Sequence, residues 1–193
     1  MKKNKLKKWN KRRFNRWANH YDISPLQIML FQLTRDTILT ILKPFLKRKN
    51  MQILDIACGT GKFLKKLQKT SKKQLKLFGI DSSENMIKQA KRKPRTIKYE
   101  VANVEKLPYR NNKFDIITCS HAFHHFQDKQ LAVHEMNRVL KQGGILIIAD
   151  GYKRGIWGHI IFKIVEIYER NVKHISKYQM KNLYYRSGFY KVL

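Results

Sequence analysis

The sequence predicts an α/β fold, a mostly parallel open sheet with helices on both faces. Three observations carry that reading. Between residues 50 and 150, short apolar runs alternate with amphipathic segments across short connections, giving at least five strands of parallel type. The strongest run, FDIITCS at 114–120, shows no polar alternation, as expected of a strand covered from both sides. The chain has 193 residues and is 42% hydrophobic, enough for one good-sized core and short for two. A barrel or a helical bundle fits this alternation less well.

Taken in order, the first twenty residues, MKKNKLKKWNKRRFNRWANH, are rich in Lys and Arg and contain no acid. Trp9, Phe14 and Trp17 can share one stripe of a short basic amphipathic helix. SPLQIMLFQLTRDTILTILKPFL then reads as a helix on the spacing of Leu26, Met29, Leu30, Leu33, Ile38, Ile41 and Leu42. Ser24 and Pro25 supply its start and Pro44 limits its end. In MQILDIACGTGKFLKKLQKT the period changes to strand, glycine-bearing turn and helix, with Phe63, Leu64 and Leu67 facing inward. LKLFGIDSSENMIKQAKRK repeats the unit: Leu75 to Ile80 form a strand, Ser82 or Ser83 caps a helix, and Met86, Ile87 and Ala90 face its core. TIKYEVANV is a short third strand and FDIITCS the fourth. LAVHEMNRVL is a helix with Leu131, Met136, Val139 and Leu140 as core positions, and Gly143-Gly144 turns the chain into the strand ILIIAD. IWGHIIFKIVEIYERN is a further amphipathic helix with Ile160, Ile161, Ile164, Ile167 and Tyr168 on one face. ISKYQMKNLYYRSGFYKVL closes with a helix, a turn at Gly188 and the start of a strand. The expected organisation is a basic helical cap at 1–49 and a core at 50–193, with 153–182 as a helical accessory segment.

Forty-two Lys or Arg against 13 Asp or Glu give a formal net charge of +29, yet 11% of residues are aromatic, which excludes a disordered polycation. No run is long and apolar enough to span a bilayer, and no secretory h-region is visible. Cys58 and Cys119 lie in apolar stretches with no CxxC pair, which favours a reducing, cytoplasmic setting and small core roles for both. A field of this sign attracts an anionic membrane surface, a nucleic acid or an acidic protein alike. The sequence motifs of the common nucleic-acid modules are missing, so a polynucleotide has only the field in its favour. Oligomeric state is not legible.

The chemical passage is LDIACGTGKF at 54–63, between a strand and a helix. Gly59 and Gly61 permit a sharp turn and close approach of a ligand to the backbone, and the helix start offers N–H groups. Phe63 stands where a phosphate-binding loop needs a magnesium-binding hydroxyl, which disfavours ATP hydrolysis, and CGTG is not a complete GxGxxG dinucleotide pattern. Asp81 follows the second strand at the spacing that places a carboxylate against ribose hydroxyls. The HAFHHF stretch adds His121, His124 and His125 as candidate acid–base groups, with Asp150 at the end of the fifth strand near them. No three- or four-ligand spacing supports a metal site around them.

The ordered set of Asp55, CGTG and Asp81 resembles the S-adenosylmethionine site of class I methyltransferases, whose fold is Rossmann-like. The pattern, continuing through ANVEKLPYRNNKFDIITCSHAFHHF and HEMNRVLKQGGILIIAD, is similar to the ubiquinone/menaquinone-biosynthesis branch and its small-molecule relatives. The resemblance implies S-adenosyl-L-methionine as cofactor, with Asp55, Ala57, Gly59 and Gly61 around its methionine and ribose, and Asp81 on both ribose hydroxyls. It also implies Asn103, where such enzymes commonly carry Asp, at the adenine amino group, and Val104 against the adenine ring. FNRWANHYD resembles the lid that precedes such domains, with Tyr21 closing over the methionine end and Phe14 excluding water. His124 and His125 are the candidate catalytic residues on the acceptor side. The implied activity is methyl transfer to a small, partly aromatic or hydrophobic acceptor, a lipid-quinone precursor being one concrete candidate. RNA or protein methylation, and a cofactor-binding regulatory or assembly role without turnover, are the alternatives. After GFYKVL there is room for the start of a sixth strand, so the usual final antiparallel strand is expected to be missing.

Overall fold

A computed structural model describes residues 2–18, 25–46, 49–71, 74–92, 96–151 and 174–189. Two N-terminal helices, α1 (Lys2–Trp17) and α2 (Pro25–Leu42), precede the sheet. Strand and helix then alternate: β1 (Gln52–Ile56), α3 (Lys62–Thr70), β2 (Lys76–Asp81), α4 (Glu84–Ala90) and β3 (Lys98–Val101). A long loop leads to β4 (Phe114–Ser120), α5 (Lys129–Val139) and β5 (Leu140–Ala149), and α6 (Lys177–Arg186) is the last described element. Tyr21, the whole of the apolar helix read at 156–171 and residues 190–193 of the strand start read after Gly188 lie outside the described residues.

The five strands are all parallel in the order β3-β2-β1-β4-β5. The chain therefore steps outward from β1 to β3, returns to the other side of β1 for β4, and steps outward again to β5. That reversal opens a crevice beyond the carboxyl ends of β1 and β4, the place where open α/β sheets bind ligands.

Alternate side chains of each strand feed two apolar layers, as the period-two geometry of a strand requires. On one face Leu54, Ile56, Phe78, Ile80, Ile117 and Cys119 pack with Ala132, Val133, Met136 and Val139 of α5. On the other, Ile53, Leu77, Tyr99 and Ile116 pack with Ile38 and Leu42 of α2, Phe63, Leu64 and Leu67 of α3, and Ile87 and Ala90 of α4. Each fully buried Leu, Ile or Phe stabilises this arrangement by roughly 1.5–3 kcal/mol. Both cysteines are buried and free.

Three helical positions differ from expectation. Leu131, read as core, is 42% exposed, because α5 begins after its Asp128 cap in a phase that turns Ala132 and Val133 inward. Leu33 and Ile41 of α2 also face outward, while Ile38 and Leu42 of the same helix are fully buried. Apolar residues cover more than one face of this helix, so periodicity alone could not choose the packed face. Gly143, with φ +70°, sits within β5 beside a register shift against β4, later than the helix end at Val139. Among the described residues no helix is long and apolar enough to cross a membrane.

Candidate active site

At the carboxyl end of β1 the chain leaves the sheet through three consecutive special positions. Ala57 takes φ +55°, a left-handed conformation that costs a non-glycine residue of order 1–3 kcal/mol, and Gly59 and Gly61 follow at +52° and +75°. Gly61 has no alternative: a Cβ there would strike the Tyr99 ring and hydroxyl, and the left-handed φ is the one that lets α3 start. Cys58 N–H donates to Ile80 O at 2.9 Å, tying the loop to the end of β2.

Asp81, the last residue of β2, holds this loop and the next. Its Oδ2 accepts from Gly59 N–H at 2.9 Å and its Oδ1 from Ser83 N–H at 2.8 Å. Burial raises its pKa above the ordinary carboxylate value, against the pull of these N–H donors. Each oxygen keeps acceptor capacity for a further donor, which is what a ribose hydroxyl pair needs.

Asp55 lies one layer below. Register pairs it with Thr118 of β4, and the Thr118 hydroxyl donates to its Oδ1 at 2.7 Å. Burial pushes this carboxyl up to about 7, with the Thr118 hydrogen bond opposing the shift and the nearby Asp81 charge adding to it.

A cavity of about 430 Å³ opens above these strand ends. One end is lined by Ala57, Gly59, Asp81, Asn103 and Val104, the other by Ser120, His121, Ala122, His125 and Phe126, with Asn10, Lys11 and Phe14 of α1 also on its wall. Asp55 and Gly61 are not on the wall; they act on the loop from beneath. Asn103 Oδ1 accepts from Glu105 N–H at 3.1 Å, so the carbonyl expected to meet an adenine amino group also shapes its own turn.

α1 is fastened over the cavity by contacts the sequence did not announce. Asn15 Oδ1 accepts from the Ser83 hydroxyl at 2.6 Å, its backbone O accepts from Asn85 Nδ2 at 2.9 Å, and Lys11 pairs with Glu84 at 2.7 Å. Phe14 meets the His125 ring edge-on at 5.1 Å.

The histidine end is a layered cluster. His121, with φ +51°, leaves β4 as Ala57 leaves β1, and its Nε2 lies 2.8 Å from the Thr34 hydroxyl of α2. His125 faces the cavity, and its Nδ1 is buried with no hydrogen-bond partner among the described residues. Burial, with help from His124 and Arg13, holds its pKa down at about 3, so the ring is neutral at physiological pH. His124 is off the cavity wall, directly behind His125 with ring centroids 4.1 Å apart. Asp150 fixes it there: its Oδ1 is 2.6 Å from His124 Nδ1 and its Oδ2 accepts from His124 N–H at 2.7 Å. Burial opposes charge on Asp150, but these bonds and Gly151 N–H outweigh burial and keep its pKa below the ordinary value. Facing an ionised carboxylate, His124 Nδ1 carries a proton and donates it to Asp150 Oδ1.

His174 stacks on the far side of His124 at 4.7 Å, and with Asp150 the two rings bring ligand-type atoms within 4.8 Å of one another. No metal was expected from the sequence. The 2.6 Å separation of His124 and Asp150 is that of a hydrogen bond, shorter than the roughly 3 Å between two donors sharing a tetrahedral ion. His174 could not have been found from spacing, since it lies far along the chain from HAFHHF.

A family profile described as "Methyltransferase domain" matches residues 54–148, the span from β1 into β5 that builds this site. Residues 54–148 are thus a methyltransferase domain. Similar curated proteins include a ubiquinone/menaquinone biosynthesis C-methyltransferase of Campylobacter jejuni, 34% identical over 117 residues that make up 58% of this chain and 50% of that protein. A demethylmenaquinone methyltransferase of Thermotoga maritima is 31% identical over 146 residues, 76% of this chain and 63% of that one. This chain thus spans about half the length of the first curated relatives it matches. Among solved structures, an S-adenosylmethionine-dependent methyltransferase from Aquifex aeolicus superposes with a TM-score of 0.66 at 21% identity, covering 90% of this chain and 87% of that one, a likeness of fold.

The residues present fit the cofactor of this family. The volume is within the range of small-molecule sites, Asp81 offers acceptors without a phosphate-binding cationic loop, and the glycine turn brings backbone close to the cavity.

Proposed function

We propose that this methyltransferase moves the methyl group of S-adenosylmethionine to a small, partly aromatic or hydrophobic acceptor, with a lipid-quinone precursor the concrete candidate. The observation that carries the reading is a single cavity with the Asp81 loop at one end and the neutral His125 ring on its wall at the other. The names of the curated relatives, which refer to menaquinone and ubiquinone biosynthesis, favour the quinone class.

In this reading Asp81 receives the ribose hydroxyls, Ala57 and Gly59 line the methionine and ribose region, and Asn103 and Val104 hold the adenine. Asp55 and Gly61 keep the loop in shape. The cofactor supplies a methyl carbon already activated by positively charged sulfur. The protein's task is therefore alignment and exclusion of water. Phe14, Ala122 and Phe126 present apolar surface to the acceptor, and the neutral His125 ring packs beside it on the same wall, orienting the nucleophile. With its pKa near 3, His125 does not take up the acceptor's hydroxyl proton, which leaves to water with the methylated product.

The test has two stages. Binding of S-adenosylhomocysteine to the purified chain, compared with NAD and ATP, should be selective for the first; absence of that binding overturns the reading. Transfer of labelled methyl should then reach hydroquinone-type acceptors. Label appearing only in RNA or protein fractions, or in none despite saturable binding, would replace this acceptor class.

A further inference from the structure

Within a chain where 42 of 193 residues are Lys or Arg, the 18 residues of α2 hold one, Arg35. Their single acid, Asp36, is paired with Lys66 of α3. This charge-poor helix is buried on one side by Ile38 and Leu42. Its other side exposes large apolar groups: Leu33 is 68% accessible, Ile41 47%, and Phe45 in the following turn 43%. Thr37 and Thr40, exposed on that side, turn their hydroxyls inward to Leu33 O and Asp36 O at 3.0 and 2.9 Å, which leaves their methyl groups outward. The result is an uncharged, apolar strip about 18 Å long by helix rise. Exposed Lys43 and Lys49 flank its lower end, within the sequence KPFLKRKN.

We infer that this outer face of α2 docks on an anionic phospholipid bilayer, lying in the interface plane with Leu33, Ile41 and Phe45 directed at the acyl boundary. Complementarity selects the occupant. An uncharged strip offers nothing to nucleic-acid phosphates. A second copy of the chain brings another +29, which opposes self-association through a face with Lys43 and Lys49 at its end. A leaflet of anionic lipid satisfies both parts, apolar insertion by the strip and attraction of Lys43 and Lys49 at its end. Beside the strip, the same helix reaches the histidine end of the cavity: Thr34 bonds His121, and Phe31 lies 4.5 Å from its ring. Docking would therefore bring the histidine end of the cavity next to the lipid, and only this last consequence rests on the proposed methyl transfer.

Sedimentation of the whole chain with phosphatidylcholine vesicles, with and without phosphatidylglycerol, tests the inference without any turnover. Binding should require phosphatidylglycerol, weaken with salt, and fall at least tenfold in Leu33→Glu/Ile41→Glu. Circular dichroism and S-adenosylhomocysteine binding check that this variant is folded, and Leu33→Ser/Ile41→Ser, which adds no charge, should give a smaller loss in the same direction. Equal vesicle binding by these variants and the parent would mean that charge elsewhere does the docking, and overturns the inference. So does the absence of binding to either vesicle, or a parent dimer in light scattering that the variants convert to monomer.

Discussion

At the Asp81 end of the cavity the wall is a glycine turn, one carboxylate and the loop after β3, drawn from successive βα units. At the histidine end the wall comes from α1 and the loop after β4, backed by side chains of α2, the end of β5 and the stretch before α6, brought together only by folding. The first end is held by hydrogen bonds between neighbouring strands' loops; the second depends on a buried His–Asp pair and a cap latched through Asn15. Local chain geometry makes one half nearly autonomous, whereas the other half is a property of the whole molecule.

That contrast can be broken most sharply at Asp81. Asp81→Ala removes the acceptors for two hydroxyls and releases Gly59 and Ser83. With charge-assisted bonds worth about 1.5–3 kcal/mol each, S-adenosylhomocysteine affinity should fall by at least about 100-fold in calorimetry. A loss below about fivefold would mean that the backbone loop alone holds the cofactor. The acceptor end should respond in the opposite manner. Asp150→Asn keeps the shape but weakens the hold on His124, and should reduce labelled methyl transfer by roughly 10–100-fold while leaving cofactor affinity within about twofold. Equal losses in both readouts would show that the two ends are one unit.

A pH comparison probes the layer beneath. Asp55 has a native pKa of about 7 against an ordinary 3.8, so the native state holds a proton where the unfolded chain has released it. Stability from this group is complete below the ordinary value and is lost as pH rises through about 7. Asp55→Asn, which keeps an oxygen for Thr118, should therefore melt higher relative to the parent at pH 8 than at pH 5. A difference independent of pH in thermal melts would remove the burial argument. His125, in contrast, stays neutral above about pH 3, so it should add no inflection to turnover between pH 5 and 8. The smallest effect is expected at Ala57, where glycine relieves the left-handed φ: Ala57→Gly should change unfolding free energy by no more than about 1 kcal/mol, in the stabilising direction, by denaturant titration.

Legibility followed the same division. CGTG and Asp81 stood out because turn geometry demands particular residues at particular spacings, and the structure places Ala57, Gly59, Asp81, Asn103 and Val104 on one wall. Asp55 and Gly61 belonged to the same motif yet sit off the wall, since a strand's alternation and the Tyr99 ring decide which of them faces outward. His124 and His125 are adjacent in sequence and read alike; only the Asp150 clasp turns one behind the other. Asn15, Thr34 and His174 carried no local signal, because each matters through a partner far along the chain.

By itself, the sequence determined the alternating α/β order, the parallel sheet and the glycine loop with its carboxylate, all consequences of periodicity and of backbone conformations open to few residue types. Tertiary structure alone decided which apolar side of α2 is covered, which histidine faces the cavity and what holds the other in place. Those outcomes depend on packing between distant segments, where many residues satisfy the same local pattern and only three-dimensional proximity distinguishes them.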